Sequence, residues 1–113
     1  MNVQTLALVT TIRVSALQSK LIFLQTCYSN IAHELADARA NVMDFEMSYA
    51  DEEHGFDLSR VSNEEARQYF KLKEEVNDLR EGLQKALNDS EEVFRDIQAL
   101  SDNAVSQIQE TLV

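Results

Sequence analysis

The sequence predicts an all-α fold: a long antiparallel helical hairpin of coiled-coil type, completed into a multi-helix bundle by oligomerisation or by partner helices. Three observations predict it. A 4-3 apolar repeat runs along each half of the 113 residues. The chain has two Gly and no Pro, so the turns of a sandwich or barrel would lack their usual residues. Polar turn residues gather near the midpoint.

The first repeat reads Val3, Ala7, Thr10, Val14, Leu17, Leu21, Leu24, Tyr28, Ile31, Leu35, Ala38, Val42, Phe45, Tyr49. Alternation of four and three keeps one stripe facing a partner along a single continuous helix. No helix breaker interrupts it before Gly55, which is expected to stop the helix in a left-handed conformation. Ser62 and Glu65 then form a capping-box pattern that starts a second helix. Its stripe reads Tyr69, Leu72, Val76, Leu79, Leu83, Ala86, Ser90, Val93, Ile97, Leu100, Ala104. Beyond Leu87 the apolar face is expected to drift toward Phe94, Ile108 and Leu112. The expected domain is therefore a single hairpin over 1–113, with a helix over about 3–53, a turn over about 54–61 and a helix over about 62–112. Leu17, Leu24, Ile31 and Leu35 on one side, and Val76, Leu79, Leu83 and Ile97 on the other, are expected to hold the seam. Gly82 falls opposite Ile31 and Ala32 if the chain folds about Phe56, either as a tolerated glycine or as a point of close helix approach.

Charge divides the chain unevenly. Residues 1–33 hold two bases, Arg13 and Lys20, and no acid, whereas residues 34–113 hold all 20 acids and 8 bases. A net charge of −10 disfavours nucleic acid and anionic membranes, which need a basic footprint. No uninterrupted apolar run is long enough for a membrane span, and no signal peptide is recognisable. The cytoplasm is the default compartment, with Cys27 reduced. The acid-free first 33 residues are also compatible with export without a cleaved signal.

Before Tyr28 the first helix is apolar on more than its seam. Leu6, Leu8, Val9, Ile12, Ile22 and Phe23 point to several sides, more than one neighbouring helix can cover. Val93, Phe94, Ile97, Leu100, Val105 and Ile108 of the second helix are expected to cover part of that surface. The six residues of the first helix are the candidate assembly interface. They predict a non-enzymatic subunit that binds copies of itself or a helical protein partner, of the kind found in secretion apparatuses and virions. The alternative is a small acidic chaperone or adaptor for a helical client.

The residues offer little else for chemistry. A lone Cys excludes an internal disulfide framework and a multi-thiolate metal site. Neither His follows a Glu at the spacing of a di-iron bundle, and no phosphate loop or calcium loop appears. No metal, cofactor or small-molecule substrate is expected. Ile31-Ala32-His33-Glu34-Leu35 resembles the core of the phospho-acceptor box of bacterial sensor histidine kinases. That family's dimerisation domain is a helical hairpin pairing into a four-helix bundle. The resemblance implies a phosphotransfer hairpin in which His33 accepts the phosphoryl group and Glu34 orients or deprotonates it. In that family the string continues with Arg, a small hydroxyl residue and Pro, whereas here it continues Ala36-Asp37-Ala38.

Overall fold

The computed structural model describes residues 2–112 and bears out the hairpin. Helix α1 spans Val3–Ser48, a 3-10 turn spans Leu58–Arg60, and helix α2 spans Asn63–Leu112. Among the described residues there is no strand, only an isolated bridge between Asp51 and Gly55. The residues up to Tyr28 with those from Lys85 form one compact unit, the terminal unit, and Ser29–Gln84 form a second, the turn unit.

Helix α1 starts where Asn2 accepts the Thr5 amide on its side-chain oxygen at 2.7 Å, a local cap on one of the helix's free N–H groups. It ends at Ser48, earlier than the predicted boundary near residue 53. The reason lies in Asp51. Its carboxylate accepts the His54 amide at 2.5 Å and the Arg60 guanidinium at 2.8 Å. Asp51 and Gly55 also exchange backbone hydrogen bonds of 3.0 and 3.1 Å. An Asp that satisfies nearby backbone in this way offers the chain an alternative to the helical ladder. Gly55, at φ +63°, therefore closes a tight turn after the helix has ended and is not the helix's own stop.

Asp57 caps the 3-10 turn, accepting both the amide and the hydroxyl of Ser59 at 3.0 and 2.7 Å. Those bonds hold its carboxyl below the usual carboxylate range, helped by Arg60. Ser62 caps α2 by accepting the Glu65 amide at 3.1 Å. The Glu65 carboxylate lies near enough to Tyr49 to help raise its hydroxyl above the usual tyrosine value.

The core of the turn unit is Leu35, Ala38, Val42 and Val76, with Tyr69, Leu72, Leu79 and Leu83 packed against it. All eight belong to the predicted stripes. At the turn, Phe56 folds back onto the ends of both stripes, its ring centroid 5.0 Å from Tyr69 and 6.1 Å from Phe45. Phe45 in turn lies 4.6 Å from Tyr49 and 5.4 Å from Tyr69. Such pairs add stabilisation beyond area alone, typically about 0.5–1.5 kcal/mol each. Gly82 does face Ile31, but an added Cβ would meet the Ile31 Cδ1 at 3.9 Å, an ordinary contact. The helices do not need a glycine there.

In the terminal unit the buried residues are Ala86, Val93 and Ala104, all from α2. The α2 stripe continues through Ile97, Leu100 and Ala104, which are buried or half-buried. The expected drift occurs at Ile108, half-buried where the in-register Gln107 is exposed, but not at Phe94 or Leu112. Phe94, Val105 and Leu112 lie off the stripe, exposed, and do not cover α1.

Two outcomes are expected from this packing. Gly82→Ala should raise stability by about 0.5–1 kcal/mol, the helix-propensity difference, because the site has room for a methyl. Ser62→Ala should lower it by about 1 kcal/mol through loss of the α2 cap. Urea denaturation of both variants checks the pair, and a destabilised Gly82→Ala would contradict the spacing described.

A pH effect follows from the tyrosines. Partial desolvation raises the Tyr49 hydroxyl, reinforced by Glu65, and raises Tyr69, reinforced by Glu46. The folded state thus holds these phenolic protons more tightly than the unfolded chain. The stabilisation is complete below the unfolded value near pH ~10 and is lost as pH rises through the folded value. As pH rises past about 10, stability should fall more steeply in the wild type than in a Tyr49→Phe/Tyr69→Phe variant. Equal slopes in denaturation series across that range would contradict it.

Candidate assembly surface

The residues predicted to hold the seam face inward. Leu35, only 4% exposed, and Val76 are buried, and Leu17, Leu24, Ile31, Leu79, Leu83 and Ile97 are half-buried. The candidate interface residues divide. Leu8, Ile12, Ile22 and Phe23 lie between 60% and 65% exposed. Leu6 and Val9 are half-buried, so α2 covers part of what they present. His33 is exposed on α1 beside Glu34. Asp51 and His54 do come together, at 3.3 Å, but in the turn and with Arg60 on the other carboxylate oxygen. Among the described residues no group of three or more potential ligands is placed to hold a metal ion.

Helical periodicity sorts what flanks the seam in the terminal unit. On one side of the α1 stripe lie Gln4, Thr11, Gln18 and Gln25, seven residues apart and uncharged. Arg13 and Lys20 lie on the other side. Along α2 one flank carries Leu87, Phe94, Ser101 and Ile108, and the other carries Asp89, Asp96 and Glu110. The two uncharged flanks meet. Leu21, Gln25, Ser90, Glu91, Phe94 and Arg95 line one groove of about 410 Å³. Gln25, Tyr28, Leu87 and Ser90 line a second of about 180 Å³. The terminal unit therefore has one charged flank and one grooved, mostly apolar flank.

The candidate interface read from the sequence lies on α1 alone, whereas α2 also exposes apolar residues beside its seam. Leu87, Phe94, Val105 and Leu112 are exposed, at the four-and-three spacing of a second stripe that also includes Glu91, Gln98, Ser101 and Ile108. That repeat was readable beside the main stripe. Met43, Met47 and Phe70 form separate exposed positions in the turn unit.

Helix α1 also contains an 18-residue window near its N-terminus with mean hydropathy 1.3 and no buried residue, long and apolar enough to cross a membrane by length and composition. The reading of uninterrupted runs did not count it, because Thr, Ser and Gln interleave its apolar residues.

No protein family, curated protein or solved structure matches this chain.

Two substitutions separate the seam from the outer face. Leu35→Asp should cost roughly 4 kcal/mol, because it removes a buried side chain and leaves a carboxylate without a partner. Ile12→Asp should change the stability of the isolated chain by no more than about 0.5 kcal/mol, since its site is open. Denaturation at high dilution, followed by helical circular dichroism, checks both. Equal losses would erase the distinction between buried and outer stripes.

Proposed function

We propose that this chain is a non-enzymatic assembly protein that works by helix-to-helix binding, as a coiled-coil subunit of a larger structure. One observation carries the reading: the terminal unit leaves Leu8, Ile12, Ile22, Phe23 and Phe94 exposed, and Phe94 lines a groove that its own helices do not fill. Exposed apolar surface on this scale marks an interaction site, because keeping it in water costs free energy that a partner helix would recover. A secretion apparatus or a virion would suit such a subunit. The acidic turn unit supplies charge that keeps the chain soluble and limits association to the surface that lacks it.

A chaperone or adaptor for a helical client is the second reading. It is favoured by the exposed Met43 and Met47, since flexible thioethers adapt to varied apolar partners. Phosphotransfer through His33 would require acid-labile phosphate on that residue.

Sedimentation velocity and native mass spectrometry, on the purified chain and on the chain drawn from its host, test the assembly reading. A defined oligomer or a stoichiometric complex with a helical protein is expected. A folded monomer at every concentration, with no protein partner in its host, would overturn it.

A further inference from the structure

We propose that the grooved flank of the terminal unit is filled by a second copy of the same chain, the two α2 helices crossing antiparallel with terminal unit against terminal unit. This rests on the assembly reading and names its partner. Three observations favour a second copy over another occupant.

The first is area. The chain exposes 8481 Å². A compact monomer of 12.9 kDa exposes about 6,300 Å², which leaves an excess of about 2,200 Å². A standard interface takes only about 800 Å² from each partner, so a dimer needs no surface beyond what is already uncovered.

The second is the distribution of charge. The turn unit holds 14 acids against 6 bases, whereas the terminal unit holds 6 acids against 4 bases. Two copies that meet through their terminal units bring together the less acidic surface, and the groove they share is lined by one acid and one base.

The third is reciprocity. The groove's charged lining residues are Glu91 and Arg95, one helical turn apart. An antiparallel α2–α2 crossing centred at the level of Val93 sets Glu91 of each copy against Arg95 of the other. Two equivalent ion pairs then flank two Phe94 side chains. An isologous contact requires this kind of self-complementarity, in which the same patch serves both sides.

The full-length chain should sediment as a dimer at micromolar concentration. Ile22→Asp and Phe94→Asp should each give helical monomers, whereas Met43→Asp and Phe70→Asp, in the turn unit, should leave the dimer intact. Glu91→Arg and Arg95→Glu should each weaken self-association about tenfold, because each sets like charges together. Mixed in equal amounts, these two variants should form a heterodimer tighter than either homodimer. A pairing confined to one helix cannot produce that result, and it decides the matter even where Phe94→Asp fails to fold.

A dimer that survives Phe94→Asp, or that dissolves only on substitution of Met43 or Phe70, would overturn the proposal. So would charge variants that show no preference for each other. A wild-type monomer that binds a different helical protein through Ile22 and Phe94 would overturn the second copy while leaving the assembly reading in place. A wild-type monomer that instead cosediments, through those residues, with phosphatidylcholine–phosphatidylglycerol vesicles would overturn both in favour of a membrane surface.

Discussion

Two packed helices can bury only one stripe of each other, and the rest of this molecule is arranged around that constraint. Each helix gives its seam to the other and has no second neighbour within the chain. The consequence differs by unit. In the turn unit the remaining faces are polar, apart from Met43, Met47 and Phe70, and the seam supplies the apolar core around Leu35 and Val76. In the terminal unit apolar residues continue off the seam, so burial is incomplete however well the seam packs. The same constraint shapes the cavities described between the helices, which are grooves beside Gln25.

The seam was legible because periodicity is a property of the whole helix and survives errors at single positions. Every α2 residue from Tyr69 to Ala104 assigned to the stripe is buried or half-buried. On α1 the assignments hold except at a few places, among them Ala7 and Tyr28, where Leu6 and Cys27 sit closer to the partner. A stripe read at 3.5 residues per turn slides by a residue against a real helix, and both replacements are one residue away.

The end of α1 was not legible in the same way. Residues 49–53 are consistent with helix by propensity, and Gly55 is a plausible stop. What ends the helix is a local competition in which the Asp51 carboxylate takes the His54 amide and pairs with Arg60 nine residues on. Sequence spacing does not reveal which acid will turn inward. The exposed apolar stripe on α2 was not legible for another reason. A helix that carries two stripes one residue apart has the same apolar composition as a helix whose single stripe drifts, and only burial separates the two. Val93 is buried and Phe94 is exposed, which identifies two stripes.

The acids have distinct work within this arrangement. Asp51 and Asp57 organise the turn through backbone and guanidinium contacts, and Glu46 and Glu65 help raise the hydroxyls of Tyr69 and Tyr49 at the aromatic end of the core. Most of the others lie exposed on helix faces, with Glu52 and Glu53 exposed in the turn and Asp89 half-buried on α2. Charge of one sign on a helix face discourages lateral association of that face with its copies, so the acid-rich faces leave fewer ways for the chain to aggregate. The uncharged flank is then defined as much by what surrounds it as by its own residues. Phe94 is no more apolar than Phe70, yet it borders a groove lined by both helices. Shape, local neutrality and exposed apolar area coincide at that flank, and their coincidence singles it out more strongly than hydrophobicity alone would.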